Sequence, residues 1–195
     1  MSKKIKKSNY DEGLRVCEKN GLEFNLSARD EFSNRKWRSA YLYGVISFEE
    51  FVKSHMILDS YNKECISYSK WKNRMTQHSP KIDYGVKLLN SHFDNLISDL
   101  LKKGVPAQNI LKNINIGDVK KFIKNVLDKR TSFVYVGYDF DNNCWIPAVN
   151  TFKLNEVKEI IEAAASLWVL FNNRINKLNI ITIPFDQYKK YFYMI

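Results

Sequence analysis

The strongest constraint on the fold is a long segment, residues 81–103, whose apolar residues recur at the spacing of an α-helix. Residues three and four positions apart share one face of a helix, so the segment predicts a helix that buries a continuous stripe in a core. Gly104-Val105-Pro106 ends it, because glycine and proline interrupt helices. The apolar positions are Val86, Leu88, Leu89, Phe93, Leu96, Ile97, Leu100 and Leu101.

Three helices are predicted before this segment from their terminal signals. Ser27 is a suitable N-cap for a helix that stops at Gly44, since short polar residues begin helices and glycine ends them. Ser47-Phe48-Glu49-Glu50 has the pattern of a capping box and predicts a second helix to about Ile57. Ser67 is the predicted cap of a third, which ends near His78.

The composition changes after Thr131, where β-forming residues become frequent. Residues 132–140 and 144–149, separated by Asp141-Asn142-Asn143, predict a β-hairpin. A strong helix over 156–172 and a third strand over 178–184 follow. The sequence therefore predicts an α+β fold, with a helical part at residues 1–80 and an α+β part at residues 81–195 that dimerises or recruits a partner.

The charge balance favours a polyanionic partner. The chain carries a formal net charge of +10 and has a pI near 9.4, which suits nucleic acid or an acidic protein surface. Its 3 cysteines are widely spaced without a Cys-x-x-Cys pair, so we expect neither a cysteine zinc site nor a disulfide framework, and we expect a cytoplasmic protein. The longest charge-free apolar run, residues 163–171, is too short to span a membrane.

Two stretches of the N-terminal part share the pattern Ser-x-x-Lys-Trp-base. They are Phe32-Ser33-Asn34-Arg35-Lys36-Trp37-Arg38 and Ile66-Ser67-Tyr68-Ser69-Lys70-Trp71-Lys72. Basic and hydroxyl side chains on a helix suit a phosphate backbone and base edges. The opposing interpretation is that both tryptophans are core anchors and the bases are solvated. The candidate nucleic-acid-binding residues are Arg35, Lys36, Arg38, Ser67, Tyr68, Ser69, Lys70, Lys72, Asn73 and Arg74.

The helices predicted over 48–57 and 67–77 have the layout of a helix-turn-helix, whose second helix enters the major groove. The run from Cys65 to Met75 resembles the small helix-turn-helix segments of bacteriophage DNA-binding proteins and homing endonucleases. The resemblance covers residues 48–78. It implies a DNA-binding protein encoded by a phage or another mobile element, with double-stranded DNA as the favoured partner.

We therefore expect a non-enzymatic DNA-binding protein without catalytic residues, metal or cofactor, with homodimerisation left open. One alternative is a phage counter-defence inhibitor that binds a host protein complex handling nucleic acid. Another is a metal-dependent nuclease using Asp139, Asp141 and Glu156, because Asp…Glu156-Val157-Lys158 is similar in order to a motif of the superfamily that includes many restriction enzymes.

Overall fold

The computed structural model describes residues 7–61, 68–106, 137–139, 144–146 and 154–177. Helices account for most of this part of the chain. They are α1 (Lys7–Ser33), α2 (Trp37–Tyr61), α3 (Tyr68–Thr76), α4 (His78–Lys102) and α5 (Leu154–Lys177), and two short strands, β1 (Gly137–Asp139) and β2 (Cys144–Ile146), lie between α4 and α5 in sequence.

The predicted α+β class is wrong for the described part of the chain, which is an all-α fold. Its only strand pairing joins β1 and β2 over three residues each, with Tyr138 opposite Trp145. Most of the predicted hairpin and the whole third strand, 178–184, lie outside the described residues. β-propensity is a weak local preference, whereas periodic apolar faces determine which elements build a core.

The core is formed where α5 packs against α1 and α2. The predicted helix over 156–172 lies within α5, and its apolar residues recur every three or four positions. Trp168 and Phe171 on α5 and Tyr41, Phe48 and Phe51 on α2 are the largest fully buried aromatic residues. Burying one such side chain contributes about 1.5–3 kcal/mol, so these aromatic contacts are a principal source of stability.

The helix predicted over 81–103 is confirmed as α4, but only its first half faces the core. Its buried residues are Lys81, Gly85, Val86 and Leu89, whereas Leu101 is 47% exposed. The C-terminal end follows the predicted stop. Gly104 has φ of 81°, a conformation that glycine adopts without strain, and the Val105 N–H donates to the Leu100 carbonyl at 3.0 Å.

The predicted boundaries of the first two helices are wrong. Gly44 lies in the middle of α2 and not at a helix end. A Cβ there would lie 3.0 Å from Ile160 on α5, so the glycine allows the two helices to approach closely. Ser47 also lies inside α2 and does not cap it. Its hydroxyl donates to the carbonyl of Gly21 on α1 at 2.8 Å. Both residues serve close contact between helices, and close contact leaves no distinct signal in a local sequence pattern.

The predicted division near residue 80 stays a prediction. The α3–α4 break does fall close to it, since Gln77 is the single non-helical residue between the two helices. Pro80 lies in the first turn of α4, where proline is tolerated because its missing N–H would have no helical partner. However, helices from both sides of residue 80 contribute to one core.

We expect Gly85→Ala to destabilise the protein by about 1–3 kcal/mol, the usual cost of overpacking a core. A Cβ at Gly85 would lie 2.6 Å from both the Phe48 ring and a Val52 methyl group. Gly13→Ala is the matched control, because its Cβ would meet only the flexible tip of Ile57 at 3.2 Å. Urea denaturation of both variants measures the difference, and equal stabilities would contradict the packing described above.

Candidate nucleic-acid interface and adjoining cleft

The short helix α3 carries the second copy of the repeated pattern and has bases without acids. Trp71 and Met75 are partly buried and pack against the core, and the Trp71 ring meets Tyr10 edge-on at 5.4 Å between centroids. On a helix with this inward face, Asn73 lies on the opposite side, and it is exposed. Trp71 and Met75 both pack against a cluster formed by Leu14, Ile57, Leu58, Phe171 and Ile175.

The remaining predicted residues of this segment are placed as follows. Lys72 and Arg74 are exposed and flank Asn73 in sequence, and Ser69 is also exposed. Within the described residues, neither Lys72 nor Arg74 forms an ion pair. Tyr68 and Lys70 belong to α3, and Ser67 lies outside the described residues. Asparagine and serine are side chains that read base edges, and lysine and arginine are side chains that grip phosphates.

The first copy of the pattern lies in the tight turn between α1 and α2. Arg35 has φ of 61°, in the left-handed region, and the Lys36 N–H donates to the Glu31 carbonyl at 2.8 Å. The Trp37 ring contacts Phe32 at 5.1 Å between centroids. Ser33 is the last residue of α1, so the helix predicted to continue from Ser27 to Gly44 is wrong. Over their described residues, the two copies therefore have different backbone structures.

The cations of this turn are also on the surface. Arg35, Lys36 and Arg38 are all exposed, and the Lys36 ammonium lies 3.3 Å from the Glu31 carboxylate. The Lys36 side chain is 62% exposed and the Glu31 side chain 18%, so the pair lies at the surface on its lysine side and the ammonium stays accessible to another anion.

The two cationic groups lie at opposite ends of α2. Trp37 begins the helix, whereas Asp59, near its end, lines the same cleft as Arg74. With a rise of about 1.5 Å per residue, Trp37 and Asp59 are separated by about 33 Å along the helix axis. The structure thus brings the α3 residues together but does not bring Arg35, Lys36 and Arg38 to them.

A cleft of about 380 Å³ opens between α2, α3 and α4. Three helices contribute to it, and its walls combine apolar side chains with charged ones. The lining residues are Met56, Asp59, Ser60, Trp71, Arg74, Met75, Pro80, Asp83, Tyr84 and Lys87.

A polar network forms the inner side of this cleft. The Asp59 carboxylate accepts hydrogen bonds from the Arg174 guanidinium and from the Tyr84 hydroxyl. Burial, together with the hydrogen bond and the charge of Asp59, raises the pKa of Tyr84 well above its ordinary value, so the phenol stays protonated and donates. The network joins α2, α4 and α5, and its members are separated too widely in sequence for a local pattern to indicate it.

His55 continues the network into the core. Its Nε2 lies 2.9 Å from the Leu167 carbonyl and its Nδ1 lies 2.9 Å from Arg174 Nη1. The carbonyl accepts, so Nε2 carries the proton and Nδ1 accepts from the guanidinium. Burial, reinforced by the charge of Arg174, lowers the pKa of His55 to about 4. The ring is therefore neutral and has a structural role. His55 and Asp59 are four residues apart, and this spacing indicates that both side chains share a face of α2.

A buried ion pair positions the start of α4. The Lys81 ammonium lies 2.8 Å from Glu49 Oε2, and both side chains are almost fully buried. His78 Nδ1 lies 2.8 Å from the other carboxylate oxygen of Glu49. The capping box predicted at Ser47-Phe48-Glu49-Glu50 is wrong, because Glu49 lies inside α2. Its carboxylate instead fixes the first turn of α4, which follows α3 after a single residue.

The residues of the nuclease hypothesis are only partly described. Asp139 lies in β1, Glu156 lies in the first turn of α5, and Asp141 lies outside the described residues. The part of the chain that the structure describes contains no group of three or more His, Cys, Asp or Glu that could bind a metal ion. Cys17 is a poor nucleophile, since burial and then the charge of Glu50 raise its pKa to about 12.

Comparison of the chain with known proteins identifies no relative. No family model matches the chain, and no curated protein or solved structure matches it. Among the described helices, none is long and apolar enough to cross a membrane.

The buried His55 makes stability depend on pH. A histidine in the unfolded chain has a pKa near 6.5, so between pH 6.5 and pH 4 the unfolded chain binds a proton that the folded protein does not. The free energy of unfolding therefore falls as the pH falls through this window, by about 3 kcal/mol in total from His55. His55→Gln keeps a donor and an acceptor but does not titrate, so we expect it to reduce this dependence.

Urea denaturation at pH 7.5, 5.5 and 4.5 measures the effect. His92→Gln is the comparison, because burial also lowers the pKa of His92 but this ring is only half-buried on α4 and lies outside the network, so we expect a smaller change than in His55→Gln. An unchanged pH dependence in His55→Gln would contradict the neutral, buried state assigned to this ring.

Proposed function

We propose that the protein is a non-enzymatic nucleic-acid-binding protein that contacts duplex DNA through α3. The observation that carries the proposal is the composition and exposure of this helix. It contains Lys70, Lys72 and Arg74 and no acid, and its apolar side chains Trp71 and Met75 pack inward. A cationic helix anchored on a core by one apolar face is the form in which helix-turn-helix proteins present side chains to the major groove.

The division of roles follows from side-chain chemistry. Asn73 has an amide that pairs with adenine through two hydrogen bonds, which makes it the candidate for base recognition. Lys72 and Arg74 are the candidates for phosphate contacts, which provide affinity without sequence information. The net charge of +10 adds long-range attraction to the same ligand.

The turn between α1 and α2 is a second candidate contact. Arg35, Lys36 and Arg38 lie about 33 Å along α2 from the α3 end. One turn of duplex DNA is about 34 Å long, so an extended duplex has the length to reach both groups. The origin in a phage or mobile element depends only on the resemblance of residues 48–78.

The main alternative is an inhibitor that binds an acidic surface of a host protein complex. It uses the same exposed cations, so the two functions differ in the partner and not in the surface. Tight binding to a purified acidic protein, together with weak binding to free DNA, would favour the inhibitor. Magnesium-dependent cleavage that Asp139→Asn abolishes would favour the nuclease.

Salt dependence tests the DNA contact directly. We expect the affinity for a fluorescein-labelled duplex, measured by anisotropy, to fall steeply between 50 and 200 mM salt, because each phosphate contact releases counterions. Lys72→Ala should weaken binding to all sequences about equally and reduce the slope of log K against log salt by about one. A flat salt response would exclude DNA as the partner.

Two further variants make the test specific. Asn73→Ala should reduce the preference for a selected sequence more than it reduces non-specific affinity, because amide contacts to a base carry sequence information. Lys103→Ala removes a charge from the exposed end of α4 and serves as the control for net charge. If Lys103→Ala and Lys72→Ala weaken binding equally, α3 is not the contact.

A further inference from the structure

The cleft between α2, α3 and α4 has the walls of a small-molecule site. Its apolar lining comes from Met56, Trp71 and Met75, and Tyr84 adds a second aromatic ring. Its volume of about 380 Å³ falls within the range typical of ligand pockets, about 300–1,000 Å³. A folded protein partner typically covers roughly 800 Å² on each side of an interface, which is far more surface than the ten residues of this cleft present. The cleft therefore suits one compact molecule or one side chain.

The charges that the cleft offers to a ligand are mainly positive. The carboxylate of Asp59 is already engaged by the Arg174 guanidinium and the Tyr84 hydroxyl, so its charge is compensated inside the protein. Arg74 on α3 and Lys87 on α4 are exposed, and neither forms an ion pair within the described residues. The remaining acid of the lining, Asp83, is exposed and lies one turn before Lys87 on α4.

We propose that this cleft binds a mononucleotide. The base would lie against Trp71, and the phosphate would be bound between Arg74 and Lys87. A nucleotide joins a planar base to a phosphate. The aromatic wall can stack on the base, and the two cations from different helices can bind the phosphate. The Asp83 carboxylate then accepts a hydrogen bond from a hydroxyl group of the sugar. Inorganic phosphate has no sugar and cannot make this contact.

This inference goes beyond duplex binding and does not depend on it, because a free mononucleotide would occupy the cleft whether or not α3 contacts DNA. The two proposals share Arg74 but differ in Lys87, which lines the cleft on α4 and is not part of α3. The decisive variant is therefore Lys87→Ala, whose exposed position makes its effect on folding small.

Isothermal titration calorimetry of the 195-residue chain with AMP tests the site. Inorganic phosphate and adenosine are titrated separately as the two fragments of the ligand. We expect AMP to bind more tightly than either fragment, because only AMP uses both the aromatic wall and the cations. Lys87→Ala should weaken AMP binding about tenfold or more, the usual loss for a charged hydrogen bond. Lys103→Ala, which removes a cation just after the C-terminal end of α4 and outside the cleft, should leave AMP binding unchanged.

The quenching of tryptophan fluorescence by AMP gives a second readout. We expect Trp71→Phe to remove most of the quenching and to keep the fold, since phenylalanine preserves an aromatic ring against the core. AMP binding no tighter than that of phosphate would mean a non-specific anion contact and would overturn the proposal. AMP binding that Lys87→Ala does not change would overturn it equally. Loss of AMP binding in Lys87→Ala with duplex affinity retained would separate this site from the α3 contact.

Discussion

The structure depends on the fact that α2 is packed against three other helices, so its polar side chains must find partners inside the protein. Three of them do so on three different neighbours. Ser47 donates to a carbonyl of α1, Glu49 pairs with Lys81 of α4, and His55 contacts a carbonyl of α5. A buried polar group without a partner costs about 1–3 kcal/mol, so these contacts select one arrangement of the neighbouring helices among those that apolar packing would allow.

The same contacts connect the core to the candidate interface. Glu49 binds both Lys81 and His78, and only Gln77 separates α4 from α3. The position of α3 is therefore constrained at its C-terminal end by a buried carboxylate of α2. Beside the cleft, the Asp59–Arg174 pair joins α2 to α5. Two ion pairs between helices therefore support the walls of the cleft, one of them buried and the other partly exposed.

The sequence indicated those elements whose apolar residues repeat over several turns, as in α4 and α5. It failed where one residue has two alternative roles. Gly44 and Ser47 have the local signature of a helix end and a helix start, yet both serve contact between packed helices, and only the tertiary neighbour distinguishes the two. The candidate residues of α3 were placed together on one exposed helix. The Asp59–Arg174 contact next to the cleft could not be found, because its two residues are 115 positions apart in the chain.

The candidate interface cannot be separated from the packing beneath it. A helix as short as α3 is marginal in water by itself, because fewer than about 12 residues rarely repay the cost of nucleation. Its helical state must then come from the burial of Trp71 and Met75, and those contacts set the spacing of Lys72, Asn73 and Arg74 on the outside. The inward and outward faces of α3 therefore act together. Trp71, the tryptophan of the repeated pattern, anchors the helix to the core, and this anchoring fixes the positions of the adjacent cations on the surface.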